Sequence, residues 1–365
     1  MIQFKRGIIS SELFSRPGIQ AFRVQVGGKE EKCIVYTELS GSAKSGDEVI
    51  INTTAVTLGL GTGGYHYVIA NLSQMEKSLQ PGGHIMKMRY SPMQVKVLSV
   101  EEEDSPHRRE MLKADSLDKT PVLVGTLHSM LAPLALYLHS KGYKTAYLMT
   151  DGAALPIVFS NTVDILKNRG IICGTVTAGH SFGGDLEAVN VYSGLLAAKK
   201  VLQADVIICT MGPGIVGTGT KWGFTGIEQG DILNAVEGLQ GIPIAVPRIS
   251  FTDPRARHKG ISHHTLTVLK RVCRVKAILP LPHLEETKMD YILGQLLQQN
   301  LLDIYECCPE AAEGFESLLE ASSMNLSTMG RGIKEEPEFF MALGAAARVT
   351  ERVLRGEQLN PIRYA

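Results

Sequence analysis

From residue 121 to residue 282 the chain alternates strand-length apolar runs with helix-length stretches, and few folds accept that pattern. The runs are PVLVGT, KTAYLMT, GIICGTVT, DVIICTM, IPIAVPRI and VKAILPL. Between them lie HSMLAPLALYLHSKG, ALPIVFSNTVDILKNRG, DLEAVNVYSGLLAAKKVLQ, GIEQGDILNAVEGLQG and SHHTLTVLKRVCR. A strand that is apolar along its whole length must be covered on both faces, and helices returning between successive strands supply the cover. Residues 120–284 are therefore expected to form an α/β domain, a doubly wound parallel sheet of the Rossmann-like kind.

The flanks read differently. Residues 1–100 hold short β-branched or aromatic runs (AFRVQV, KCIVYTEL, DEVIINTTAV, YHYVIANL, MQVKVLSV) broken by Arg16-Pro17-Gly18, Gly27-Gly28, Ser45-Gly46-Asp47 and Pro81-Gly82-Gly83. Five or six strands at that spacing predict a small β-barrel or sandwich domain. The charged stretch 101–119 reads as a solvated linker, helical in part. Residues 285–365 read as a C-terminal helical extension packed on the α/β domain. Its last segment, EEPEFFMALGAAARVTERVL, is rich enough in Ala and Gly to pack closely against a helix of this chain or of a partner.

Charge excludes some partners. Thirty-seven basic and 37 acidic side chains cancel, so no global field draws nucleic acid or an acidic membrane surface. No stretch reaches the roughly 18 apolar residues of a membrane span, and the N-terminus lacks a signal-peptide run. Cys33, Cys173, Cys209, Cys273, Cys307 and Cys308 contain no CxxC pair. Reduced thiols in a cytoplasmic protein are the expectation. A homodimer is the base-rate assembly.

In open parallel sheets ligands bind beyond the carboxyl ends of the strands, where the strand order reverses. The informative residues are thus those just after each run: His128; Asp151; Gly179-His180-Ser181-Phe182-Gly183-Gly184-Asp185; Gly212 to Thr220; and Asp253 to His264. Glycine-rich polar loops are normal between strand and helix, but five on one rim mark an address for chemistry.

Three chemistries compete for it. In the first, an anion is held by backbone N–H groups around Gly212, Gly214 and Gly217, by the Thr218 hydroxyl, and by Arg255, Arg257, His258 and His263. Cations just before a helix N-terminus are costly without an anion between them. Asp151, His180 and Asp185 would then be acid, base or metal-ligand candidates. The GxGxxG string is a poor dinucleotide site, because KWGFTG delays the helix to about Ile227. No cofactor is specified. A metal version would use Asp253, His258 and His263, with Asp151, Asp185 or His180. Arg331, in Gly330-Arg331-Gly332, would be one more arginine for the same site.

In the second, GHSFGG is a G-x-S-x-G nucleophile elbow, resembling the α/β-hydrolases locally. Ser181 would be the nucleophile, Asp253 the acid and His283 the base. Against it, Asp185 and Glu187 place negative charge near the nucleophile. The third is a non-enzymatic sensor or scaffold whose loops form a protein interface.

INTTAVTLGLGTGGYHYV, MTDGAALP, GHSFGGDLEAVN, MGPGIVGTGT, RISFTDPRARHKGISHHTL and MGRGIKEEPEFF together resemble a bacterial family of similar length, known only as a domain of unknown function. The resemblance spans nearly the whole chain and implies no activity. The leading expectation is an enzyme that binds a small anionic, phosphorylated molecule in the crevice at the carboxyl ends of the α/β strands.

Overall fold

The computed structural model describes residues 1–75, 78, 79 and 81–362. Two compact units divide at Leu98/Ser99.

In the first unit, strands β1 (Phe4–Arg16), β2 (Ile19–Val26), β3 (Lys29–Tyr36), β4 (Glu48–Asn52) and β5 (Tyr65–Asn71) close into a barrel in the order β1-β2-β3-β5-β4. Alternation builds it: Phe22, Val24 and Val26 of β2 point inward beside Cys33 and Val35 of β3, while Arg23 and Gln25 face water. The run MQVKVLSV does not join the barrel. It contributes β7 (Val95–Val97), which pairs with β6 (Ile85–Lys87) in a separate hairpin. His66, from the glycine-rich Leu58–His66 segment, is buried in this unit with its Nε2 beside Glu31.

The second unit begins before the α/β pattern does. Residues 99–119 belong to it: Val100 and Leu117 are buried in its core, and Leu117 N donates to Leu239 O. Its sheet uses β8 (Pro121–Val124), β9 (Thr145–Thr150), β10 (Gly174–Ala178), β11 (Leu186–Ala188), β12 (Val206–Met211) and β13 (Ile242–Ala245). β16 (Ile278–Pro282) and β17 (Glu306–Glu310) complete it. All eight are parallel, in the order β11-β10-β9-β12-β8-β13-β16-β17. The six apolar runs supply the six inner strands. The two edge strands, LEA and ECCPE, lie in segments whose pattern predicts helix. An edge strand has one pairing partner and less cover, so it needs no long apolar run.

Helices flank both faces, and two of them open on side-chain caps. Ser160 accepts from Val163 N to open the helix Asn161–Asn168. Asn190 and Ser193 form a reciprocal capping box for Val191–Lys200. The C-terminal helix Pro337–Leu354 buries Ala342, Leu343, Gly344, Ala345, Ala346 and Ala347 within this chain, so its small residues need no partner subunit. A Cβ at Gly344 would sit 2.8 Å from that of Ala312. Among the described residues every cysteine is free. Burial pushes the Cys307 thiol up to about 12 and Cys308 to about 11, which leaves neither as a ready nucleophile. No described helix is long and apolar enough to cross a membrane.

The strand order decides where a ligand can sit. From β8 the chain crosses beyond β12 to reach β9. From β12 it crosses beyond β8 to reach β13. The loops after these adjacent strands leave in opposite directions, which opens a crevice between them.

Candidate functional site

A cavity of about 170 Å³ lies in that crevice. Thr126 and Leu127 line it from the loop after β8, and Ile215, Val216, Gly217 and Gly219 from the loop after β12. Arg248, Arg255, Arg257, His258 and His264 line it from the loop after β13, with Met329 beside them. Among the described residues no acidic side chain lines it.

The arginine-bearing loop is shaped by a short hairpin, β14 (Ile249–Ser250) against β15 (Gly260–Ile261), which carries residues 251–259 between its strands. Asp253, buried within it, organises the cations. Its carboxylate accepts from Arg255 Nε at 2.9 Å and NH2 at 2.8 Å, and from Arg248 NH2 at 2.8 Å. Arg331 NH2 lies 3.6 Å away and pairs with buried Glu336. The Arg255 hydrogen bonds, with the Arg248 charge, hold the Asp253 carboxyl far below the usual carboxylate range. This carboxylate is an ion-pair hub, with no lone pair to spare as a triad acid or a metal ligand.

Three histidines complete the site. Arg248 NH1 donates to His258 Nδ1 at 3.1 Å, and Ser262 Oγ lies 2.8 Å from the same nitrogen. Arginine can only donate, so Nδ1 accepts and the ring proton sits on Nε2. Ser262 also caps the next helix, His263–Thr267, through His264 N. His264 is stacked on Phe224 at 3.9 Å between centroids, and its ring centre is 4.2 Å from that of His263. His263 Nε2 is buried and has no hydrogen-bond partner among the described residues. Burial, reinforced by Arg248 and Arg255, pushes the His258 imidazole down to about 3. Burial, with His263 and the same arginines, pushes His264 to about 4, and His263 is lowered by burial and Arg257. All three imidazoles are thus shifted toward the neutral form.

The glycine loop serves the cavity in part. Gly217 and Gly219 line it, and a Cβ at Gly217 would stand 3.6 Å from the His264 ring. Gly212 is a packing residue, since a Cβ there would meet Ala154 O at 2.7 Å. Gly214 is exposed with φ +107°. Thr218 Oγ1 meets Thr220 Oγ1 at 2.9 Å and Gly223 O at 3.2 Å, so it braces its own loop. The helix that would face a pyrophosphate starts only at Glu228, after a 3-10 turn over Thr225–Ile227, as the KWGFTG string implies.

The remaining candidates lie elsewhere. His128 is committed on both sides, with Nδ1 3.1 Å from Tyr147 OH and Nε2 2.7 Å from Ser160 Oγ. Desolvation pushes it down to about 4. Asp151 and His180 sit over β9 and β10, where Asp151 accepts from His180 N at 2.8 Å. Gly179 is required there, because a Cβ at its φ of +69° would fall 2.3 Å from the Asp151 carboxylate. Asp185 is not on the rim. It lies at the start of edge strand β11, accepting from Thr175 N and Oγ1 and from Lys167. Burial alone would raise its carboxyl, but those bonds hold it down.

The Ser181–Asp253–His283 triad does not assemble. Ser181 is fully buried, with its hydroxyl 2.8 Å from Ala178 O and 3.0 Å from Met149 O. His283 follows β16, five strand spacings from β10, on the order of 24 Å at about 4.8 Å per strand. GHSFGG leads into β11 and only then into a helix.

Sequence reasoning placed His264 in the marked loop without giving it a role, and left Arg248 and Glu228 out of the site. Arg248 is the next-to-last residue of the run IPIAVPRI, and its position was the only signal. Glu228 opens the helix Glu228–Gly238, where an acidic residue is expected from the dipole alone. It accepts from Thr150 Oγ1 at 2.6 Å, and burial, with Asp151 nearby, raises its carboxyl to about 7.

The model of an uncharacterised family, described as a protein of unknown function (DUF3866), matches residues 32–347, and the chain belongs to that family. No curated protein matches it.

Proposed function

We propose that this member of the family is an enzyme whose substrate is a small anion, a phosphorylated compound by preference, bound in the crevice between the loops after β8, β12 and β13. The observation that carries this reading is the charge imbalance of the cavity. Arg248, Arg255 and Arg257 line it, while the buried carboxylate of Asp253 answers the first two. Arg257 is left without an ion-pair partner among the described residues. Guanidinium groups match phosphate and carboxylate oxygens in pairs. The volume suits a small ligand, below the ~300 Å³ at which drug-sized pockets begin. Titratable groups on the same rim, the three histidines and Glu228 with its carboxyl near neutrality, favour catalysis over passive binding.

Calorimetry and thermal unfolding of the full chain with inorganic phosphate test the binding step. Phosphate is expected to raise the unfolding temperature by linkage, with a stability gain of about 2.7 kcal/mol at a hundredfold excess over Kd. Arg257→Ala is expected to abolish that gain while leaving the ligand-free protein unchanged. Absence of any shift with phosphate, sulfate or a phosphorylated metabolite mixture would overturn the reading and leave the scaffold role in its place.

A further inference from the structure

We propose that His258, His263 and His264 form a three-histidine site for a divalent transition metal, with its open coordination position facing the arginine-lined cavity. The inference rests on the anion reading for the occupant of that open position, but the metal ligands stand on their own geometry. One ring nitrogen from each histidine lies within 4.8 Å of the other two. A tetrahedral ion at about 2.0–2.1 Å from imidazole nitrogens sets them roughly 3.3 Å apart. The rings therefore need to close by about 1.5 Å at most, a matter of small side-chain rotations.

A second observation points the same way. His263 Nε2 is buried with no partner among the described residues. Leaving a buried polar atom unpaired costs on the order of 1–3 kcal/mol, so it calls for an explanation. A metal supplies one, because the ion takes up the lone pair that no donor reaches. Imidazole ligands suit Zn²⁺, Co²⁺, Ni²⁺ or Cu²⁺, and three protein ligands with one position open is the arrangement of catalytic rather than structural zinc. Phe224 stacked on His264 fixes that ring's orientation. Ser262 Oγ, 2.8 Å from His258 Nδ1, can accept the Nδ1 proton once Nε2 binds the ion, the usual support for a ligating histidine.

Arg248 sets the condition. Its NH1 donates to His258 Nδ1 and must leave when that nitrogen becomes a donor. Together with Arg255 and Arg257 it also repels a bare cation. An anion bridging the metal and the guanidinium groups removes both objections, since it offers Arg248 oxygens to bond and cancels the excess charge. Metal and anion should thus strengthen each other, reciprocally and to the same extent. The metal would polarise the anion or activate a bound water.

The test uses the full chain stripped of metal by a chelator and titrated with Co²⁺, read by visible absorption and calorimetry, without and with inorganic phosphate. The expected result is one equivalent bound, with the absorption of nitrogen-coordinated Co²⁺, and an affinity about 5- to 150-fold higher with phosphate present. His263→Ala and His264→Ala should each lose the absorption band and weaken binding by at least about tenfold. Arg257→Ala should keep Co²⁺ binding and lose the phosphate enhancement. The wild-type titration needs no variant to fold. No Co²⁺ or Zn²⁺ uptake by the wild type, or equal uptake by both folded histidine variants, overturns the metal site. Phosphate binding to the metal-free protein would then leave the anion reading intact. Co²⁺ uptake that depends on the histidines but ignores phosphate, with no phosphate bound, supports the metal site and sinks the anion reading instead.

Discussion

The two halves of the rim above the parallel sheet are built from loops of similar composition, yet they treat their polar groups in opposite ways. Over β9, β10 and β11 the side chains serve the backbone. Ser181 turns its hydroxyl to two carbonyls, Asp151 accepts from His180 N, and Glu187 from Gly183 N. Over β8, β12 and β13 the cations exceed what one carboxylate can answer, and they face a cavity. Polar, glycine-rich loops are what any strand-to-helix turn needs. Charge left unbalanced around a concave space is what a ligand needs.

The sharpest way to break this contrast is at Asp253. Asp253→Ala should cost about 3–5 kcal/mol in urea unfolding, because it leaves the buried Arg248 without its counter-charge. A loss no greater than that of Ser181→Ala would mean the arginine side is not electrostatically special. The sign with pH follows from the depressed carboxyl. The Asp253 contribution is complete above the ordinary carboxylate range and lost only as pH falls toward its lower folded value.

Glu228 behaves in the opposite sense. Its carboxyl is raised from 4.5 to about 7, so the native state favours the protonated form. Relative to Glu228→Gln, the wild type should lose stability as pH climbs from about 4.5 through 7, by up to about 3 kcal/mol and less for its partial exposure. Parallel unfolding curves at pH 5 and pH 8 would show this, and identical pH dependence in the two proteins would remove Glu228 as a proton-transfer candidate. Next in size, Ser181→Ala should cost about 1 kcal/mol, the net worth of an ordinary buried hydrogen bond, and an active-site serine probe should label neither protein. The smallest stability change belongs to Arg257→Ala, within about 0.5 kcal/mol in the absence of ligand, as for an exposed side chain with no ion-pair partner among the described residues.

Much of the fold was legible because it rests on local pattern. Six runs apolar from end to end became the six inner strands, and the short alternating runs near the N-terminus became a barrel. What escaped were barrel strand β1, most of whose residues are exposed, and the short edge strands β11 and β17, whose few residues carry no periodicity long enough to register. The site was half legible. RARHKGISHH was marked by cations crowded before a capped helix, and Arg255, Arg257, His258, His263 and His264 do gather there. His128, Asp151, His180, Ser181 and Asp185 looked equally chemical, because sequence shows which groups a loop carries and not which neighbours lie against them.

By itself the sequence determined the layers and a small all-β unit, barrel or sandwich, before them, since burial on one face or two is written in the spacing of apolar residues. Only the tertiary structure decided the strand order. That order depends on pairings between segments far apart in the chain, and no local pattern encodes them. Because β8 and β12 are neighbours, the loops after β8, β12 and β13 share one crevice. Asp253 is withdrawn into an ion-pair hub, and Ser181 is separated from His283 by five strand spacings.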